Sequence, residues 1–396
     1  MKKTASAIFA AFAVLSAVHG QGLLSIGANH DFDAQMPFTV TVASSVGWDS
    51  NMNTSPYNEQ DSGYWQNGVS VYYPMGDRRN HFMLGAHYSN IYYFDPAPEA
   101  EDIYHNARLT FDFSRDLSPR ANISNSFYFS YEAEPDYLIG ASANRRMNQY
   151  FYGYNNLSFT YAWTRRFSTT SSYTLSGIFY EDDVYQNEDH LSHIFGQQFR
   201  YAFSRTTTGT LDYRIQFNHY DSNSGADSMT HYLLVGVDHS FSPLLTGSVR
   251  VGAQFRDYDN GVGGTTTAPY LEGAINYRAG KNTILRWYHW LGLDDSEFAG
   301  FGETYSYRTG LTLQHKLTEQ LTGNLMLHYI HSDFSESPDG LSDFADNTFA
   351  GSVGLDYRVW RNISLNANYW FTMNSSDNSD REYDRHRVSL GVTATF

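Results

Sequence analysis

Apolar and polar side chains alternate along most of the chain. The stretch 362–373 shows the pattern clearly, because Ile363 and Leu365 share one face of an extended chain while Ser364 and Asn366 share the other. A period of two residues indicates a strand with one apolar and one polar face. The sequence therefore predicts β-structure in this stretch.

The same alternation recurs from about Phe38 to Phe396. We find eighteen such segments, the first at about 38–50 and the last at about 383–396. Short turns follow every second segment, and the intervening loops are longer and acidic, as in EDDVYQNEDH at 181–190. An even number of antiparallel strands, with short turns at one rim and long loops at the other, is typical of a transmembrane β-barrel. The predicted fold class is all-β, an antiparallel barrel with short periplasmic turns and long extracellular loops.

A soluble sandwich, propeller or repeat array is the alternative all-β fold. The predicted segments run for roughly 12–15 residues, whereas strands of globular proteins average about 5–6 residues. A soluble sandwich also buries its larger apolar residues, but here the second face is polar and rich in arginine. Segment length and the arginine-rich face both favour the barrel.

Composition favours one large unit. The chain has 396 residues, 17% of them aromatic, and its mean hydropathy is −0.48. The ten prolines are scattered, and no linker or low-complexity segment divides the sequence. There is no cysteine, which excludes disulfides and a cysteine-linked lipid anchor. We expect residues 38–396 to form the barrel.

The first twenty residues differ from the rest. Lys2 and Lys3 precede an apolar run at 5–17 that ends in small residues. This pattern predicts a secretory signal peptide at 1–20, since a membrane-spanning helix needs about 20 apolar residues. Residues 21–37 are then a periplasmic lead-in, or contribute an extra strand at 23–32. The expected location is the outer membrane of a Gram-negative-type bacterium.

The formal net charge of −16 is unevenly distributed. Acidic residues concentrate in the long loops or at the strand ends beside them, for example Asp294, Asp295 and Glu297, whereas the short turns are basic, as at Arg165 and Arg166. Acidic loops can simply solubilise the outer rim. They can also bridge to anionic lipid head groups through divalent cations, and the sequence leaves both interpretations open.

The polar face of the strands is rich in arginine. If the apolar face meets lipid, the basic residues that line the lumen are Arg108, Arg200, Arg214, Arg250, Arg256, Arg278, Arg286, Arg308, Lys316, Arg358, Arg385 and Arg387. The same phase places fewer acids there: Asp112, Asp212, Asp238, Glu272 and Asp356. We expect some cross-strand pairing, for instance of Asp212 and Arg214 with Arg200 or Asp238. The surplus arginines either attract anions into the bore or brace its wall.

Barrel size and the aromatic residues of the polar face bear on which solutes could pass through the barrel. A barrel of 16–18 strands leaves an aqueous channel unless loops plug it, so a channel is the default function. Aromatic side chains on the polar face could stack against sugars; they are Tyr72, Tyr128, Tyr150, Tyr152, Tyr154, Tyr220, Tyr288, Trp290 and Trp370.

Enzymatic motifs are absent. The chain contains no GxSxG, HExxH or CxxC spacing. DYDNG at 257–261 opens like a calcium-binding loop, but Ala268 stands at the twelfth position, where a bidentate glutamate is needed. No catalytic residue, cofactor, metal or nucleic-acid partner is predicted.

The closing segment resembles a known family. REYDRHRVSLGVTATF at 381–396 and FSPLLTGSVRVGAQFRDYD at 241–259 are similar in texture to putative β-barrel porin family 2, whose members are associated with exopolysaccharide gene clusters. The resemblance implies an outer-membrane channel, with an exported exopolysaccharide as its cargo. It also implies that the outer-membrane assembly machinery recognises the terminal Phe396. A general or anion-preferring diffusion porin and a structural or adhesive surface barrel remain alternatives.

Overall fold

A computed structural model describes most of the predicted barrel. The described residues are 38–77, 79–98, 100–133, 149–182, 187–221, 227–259, 265–294, 304–335 and 343–396. The predicted signal peptide, the lead-in and the proposed strand at 23–32 lie outside these residues.

The described residues form eighteen antiparallel strands of 11–16 residues. Their bounds are β1 Thr39–Asp49, β2 Ser62–Gly76, β3 Asn80–Tyr93, β4 Ile103–Ser118, β5 Ala121–Glu132, β6 Tyr150–Ala162, β7 Phe167–Tyr180, β8 His190–Ala202, β9 Thr207–Tyr220, β10 Ser228–Ser242, β11 Leu245–Tyr258, β12 Thr265–Ala279, β13 Thr283–Asp294, β14 Thr304–Lys316, β15 Leu321–Phe334, β16 Phe344–Arg358, β17 Ile363–Ser376 and β18 Tyr383–Thr395. A short 3-10 helix, Ser379–Arg381, precedes β18. The predicted strand count and fold class are confirmed.

Each strand pairs with its neighbours in sequence, and β1 also pairs with β18. At this seam Thr41 lies opposite Thr395, and Asp49 lies opposite Arg387. The backbones of Val40 and Phe396 exchange hydrogen bonds of 2.9 and 2.8 Å. Closure leaves no unpaired sheet edge, which is the condition for a β-sheet to span lipid.

The outer face of the ring is apolar. In β11, Val249 and Val251 are 44% and 43% exposed, whereas Arg250 between them is 2% exposed. The same alternation repeats around the ring, so the apolar set predicted to meet lipid lies outside and the polar set lies inside. No helix of the described residues is long and apolar enough to span a membrane.

The inner wall has two levels. Towards the long loops its side chains are buried, as at Tyr64, Ile91 and Tyr93, and Met52 from the β1–β2 connection packs against them. Towards the short turns the inner side chains are partly or fully exposed. We call these parts the loop half and the turn half of the inner wall.

Candidate functional site

The inner wall is the candidate site, because it carries all of the predicted lumenal charges within strands. Arg250, Arg256, Arg308, Arg385, Arg387 and Asp212 are buried there. Arg278, Arg286 and Arg358 are exposed in the turn half, and the remaining predicted residues are partly buried. That these residues line a path for solutes stays a prediction.

The largest charged group on the inner wall joins three arginines to three acids across β8–β12. Its members, which we call the belt, are Arg200, Arg214, Arg250, Asp212, Asp238 and Glu272. Arg200 donates to Asp238 at 2.7 Å. Arg250 donates to Asp238 at 3.0 Å and lies 3.5 Å from Asp212. The formal charges of the belt sum to zero, because each arginine has an acidic counterpart.

Glu272 is the second centre of the belt. Arg214 donates to its two carboxylate oxygens at 2.9 and 3.1 Å, and Arg250 lies 3.7 Å away. The Tyr270 hydroxyl donates to the same carboxylate at 2.9 Å. We expected Arg214 to pair on a neighbouring strand, and that expectation is wrong, because its partner Glu272 stands three strands away on β12. Arg200, which we expected to pair with Asp212, pairs with Asp238 on β10.

Small residues make room for these long side chains. Gly236 lies directly opposite Arg250 and Thr210 in the register of β10. A Cβ at this glycine would stand 2.5 Å from Arg250 Cγ and 2.6 Å from the Val249 carbonyl oxygen. The glycine therefore lets the arginine stem lie flat along the wall towards Asp212 and Asp238.

Four further ion pairs stand where strands meet the long loops. Arg108 pairs with Glu132, Arg308 with Asp294, Arg381 with Asp346, and Arg385 with Asp49. The acids in these pairs are 0–6% exposed. Sequence reasoning missed all four acids as inner-wall residues, although it counted Asp294 among the residues of the long loops and adjoining strand ends, and Asp294 ends β13. Each acid is in phase with the inner face of its strand, so carrying the alternation to the strand end would have found it.

The seam holds the most elaborate of these pairs. Asp49 is fully buried and accepts hydrogen bonds from Arg385 at 2.5 and 3.0 Å. Tyr93 also donates to this carboxylate at 3.1 Å. Arg387 lies 3.4 Å from Asp49 and stacks 5.0 Å from the ring centre of Tyr64. Charge pairing and stacking therefore fasten β18 to β1 and β2 inside the wall.

Two arginines in the turn half have no such partner. Arg278 and Arg286 are diagonal neighbours on β12 and β13, since Arg278 lies opposite Ile284 and Arg286 opposite Asn276. Both are exposed, and in the described part of the chain neither lies within ion-pair distance of a carboxylate. The surplus of positive charge expected from the sequence is thus smaller than predicted and is concentrated in the turn half.

The other predicted charges make local polar contacts. Arg358 donates to the Glu319 carbonyl oxygen at 2.6 Å. Asp356 accepts from Asn324 at 2.7 Å, and Asp112 accepts from the Ser126 hydroxyl. Arg256 donates to Thr230 at 3.0 Å and to the Asp294 carbonyl oxygen at 2.9 Å. These contacts brace neighbouring strands.

The predicted inner aromatics divide between the two levels. Tyr128, Tyr150 and Tyr220 are at most 6% exposed, and the first packs 5.9 Å from Tyr152. Tyr72, Tyr154, Tyr288, Trp290 and Trp370 are partly exposed. Only the partly exposed set presents ring surface to the interior.

No metal site stands out on either face. Within the described ranges, no group of three or more His, Asp or Glu side chains is arranged to hold a metal ion. The DYDNG stretch lies partly outside those ranges. His328 is buried on the inner face and His331 lies on the outer face, as the alternation predicts.

A closed ring of eighteen strands, apolar outside and charged inside, defines an outer-membrane β-barrel channel of the porin type. The chain belongs to the family described as Putative beta-barrel porin 2, which matches residues 38–396. The expected family is therefore confirmed. No curated protein matches the chain.

Three solved structures are similar to the chain at low sequence identity. Acinetobacter baumannii OccAB4 is 12% identical, with a TM-score of 0.45 over 91% of this chain and 99% of that one. Pseudomonas aeruginosa OccK2 (OpdF) is 11% identical, with a TM-score of 0.48 over 91% and 98%. A BenF-like porin from Pseudomonas fluorescens Pf-5 is 12% identical, with a TM-score of 0.47 over 90% and 98%.

Replacing Gly236 by alanine should lower the free energy of unfolding by roughly 1–3 kcal/mol, because the new methyl group overlaps Arg250 and a backbone oxygen. Urea unfolding in lipid vesicles, followed by tryptophan fluorescence, measures the change. Gly153→Ala is the matched control, since its Cβ would meet no atom closer than 3.9 Å. Equal stability of the two variants would contradict this role for Gly236.

Replacing Glu272 by glutamine should cost about 3 kcal/mol, because two arginines lose their shared counter-charge in a largely desolvated site. The double variant Arg214→Gln/Glu272→Gln should recover part of this loss in the same assay, since one unpaired charge is then removed. Strictly additive effects of the two substitutions would show that the pair is not coupled.

Proposed function

We propose that the channel favours anionic solutes through the exposed pair Arg278 and Arg286. The observation that carries the proposal is the contrast between the neutral belt and this pair without carboxylate partners. Charges already matched by a carboxylate attract little further counter-charge. Unmatched arginines facing water concentrate anions and bind carboxylate or phosphate groups bidentately.

The expected selectivity is modest. A unit charge about 7 Å from a permeating ion in water contributes roughly 0.6 kcal/mol, which is close to RT. At about 0.1 M salt, screening roughly halves this energy. Because the charge attracts an anion as strongly as it repels a cation, each arginine should then change the ratio of anion to cation permeability about two- to threefold. The preference should also weaken as salt concentration rises, since the Debye length falls from about 10 Å at 0.1 M to about 3 Å at 1 M.

The cargo we favour is an acidic polysaccharide in export. Partly exposed Tyr72, Tyr154 and Tyr288 offer ring faces for sugars, and the Arg278–Arg286 pair offers a contact for carboxylate groups. The resemblance in sequence texture to barrels of exopolysaccharide gene clusters supports the same cargo. A general diffusion channel is the competing function, and it predicts no discrimination by charge or sugar.

Planar bilayers test this function through the variant Arg278→Gln/Arg286→Gln. Its reversal potential in a KCl gradient should shift in the direction of cation permeation. The shift should correspond to a two- to threefold change in the permeability ratio for each charge removed. Oligogalacturonate should interrupt the wild-type current more often than neutral dextran fragments of the same length, and the variant should lose this difference.

Lys281→Gln is the matched control, because Lys281 is an exposed cation in the adjoining turn, outside the strands. An unchanged reversal potential in the double variant would contradict the assignment of the arginine pair. Equal interruption by the acidic and neutral fragments would leave the general diffusion channel as the function.

A further inference from the structure

The outer face carries a repeated pair of tyrosine and histidine. In five hairpins joined by long loops, a tyrosine hydroxyl lies 2.8–3.1 Å from histidine Nδ1. The two rings lie 6.1–6.2 Å apart and are inclined by 10–27°. The pairs are Tyr88–His105, Tyr173–His193, Tyr213–His231, Tyr307–His289 and Tyr369–His386. We call them the outer ring.

All five pairs are diagonal; the histidine lies nearer the long loop in four of them, and the tyrosine does in Tyr307–His289. The two residues are diagonal neighbours across a hairpin, with one partner lying two residues closer to the long loop; His231, for instance, lies opposite Ile215, two residues from Tyr213. The tyrosines and histidines share the outer face with the exposed apolar residues of the same strands. Such regular placement on five separate hairpins is not needed for closing the barrel, because the backbone ladder already does so.

The outer ring lies in the loop-side part of the apolar band, with outward apolar residues such as Met229 and Phe217 on its loop side. In β10 the outward residues Leu233, Val235 and Val237 lie between His231 and His239. Eight residues at about 3.4 Å each, tilted by about 40°, span roughly 21 Å along the membrane normal. This height matches the apolar band of about 25 Å on outer-membrane barrels. His231 and its equivalents therefore lie one or two outward residues below the loop-side end of the band, near the lipid head groups.

The pairing bears on the position of the histidine proton. We assign the tyrosine hydroxyl as the donor and Nδ1 as the acceptor of each bond. The neutral imidazole then carries its proton on Nε2. Each pair thus has an N–H on that nitrogen, and protonation of the ring keeps this N–H and adds positive charge.

A sixth hairpin holds an imidazole beside an oxyanion. In β15–β16, Tyr329 donates to the side-chain oxygen of Asn347 at 2.8 Å, and His331 Nδ1 donates to the same oxygen at 3.0 Å. The Nδ1 of His331 therefore carries a proton, unlike that of the five pairs, and Nε2, which lies 3.2 Å from a carboxylate oxygen of Asp333, donates to it when the ring is protonated. An imidazole on this face can thus hold an oxyanion once it is charged.

We propose that the outer ring binds the phosphate groups of outer-leaflet lipids. Phosphate oxygens are the oxyanions that a membrane presents at this depth, and an N–H donor held against a tyrosine meets them without reorganisation. The ring would fix the barrel's height in the membrane and gather phosphate-bearing lipid around it.

Native mass spectrometry in maltoside micelles tests the proposal with phosphatidic acid as the probe and diacylglycerol of the same chains as the uncharged comparison. The wild-type barrel should retain phosphatidic acid in preference to diacylglycerol. His193→Phe/His231→Phe keeps an aromatic ring at both positions but removes the ring nitrogens. The affinity for phosphatidic acid at those two positions should therefore fall about tenfold, which corresponds to the loss of one charge-assisted hydrogen bond at each.

The matched control is His239→Phe/His315→Phe. These histidines also lie on the outer face but at the short-turn rim, where they contact Thr207 and Thr283 at 2.9 and 2.7 Å. This variant should retain the lipid preference of the wild type. An equal loss in both variants, unchanged retention in His193→Phe/His231→Phe, or equal retention of diacylglycerol would overturn the proposal.

Two further arms complete the test. Tyr173→Phe/Tyr213→Phe removes only the hydroxyls that orient the imidazoles, so it should show an intermediate loss even if the histidine variant fails to fold; no loss would overturn the proposed orientation. Inorganic phosphate should not displace phosphatidic acid at equal concentration. Displacement would show a site for free phosphate and overturn the assignment to lipid.

Discussion

The requirement that every backbone N–H and C=O be paired in lipid determines the rest of the structure. Eighteen strands meet it only as a closed ring, so β1 must pair with β18. Closure then divides every strand into a lipid face and an inner face. Residues such as Val249 and Arg250 stand next to each other in sequence and meet entirely different surroundings.

That division explains why the inner charges are so thoroughly paired. An arginine beneath a packed inner surface loses hydration and is stable only with a carboxylate and further hydrogen bonds. The belt around Arg250 and the seam pair of Arg385 with Asp49 meet this need. In the turn half the side chains reach water, and Arg278 and Arg286 can stand without carboxylate partners. In the proposed function, wall bracing and selectivity thus fall to different arginines.

The fold could be predicted from the sequence because a period of two residues is a local signal that repeats in every strand. The same signal also shows which residues of each strand share a face, which is why Arg250 and Glu272 were assigned to one face. Their partners could not be predicted, because Arg214 reaches Glu272 across two intervening strands and pairing at that distance depends on strand stagger and on small residues such as Gly236. Asp49 and Asp294 were missed because acids at strand ends were grouped with those of the long loops, although both lie in phase with the inner face. The outer ring escaped notice because its partners come from different strands.

The central claim is that a neutral, ion-paired belt leaves a water-filled channel whose weak selectivity comes from exposed arginines. Single-channel recording of the wild-type protein in planar bilayers, at about 0.1 M and 1 M KCl, tests it most directly. The account predicts discrete conductance steps with a mild anion preference that fades at the higher salt concentration, because screening shortens the reach of the exposed charges. The absence of conductance, or a cation preference at low salt, would contradict it.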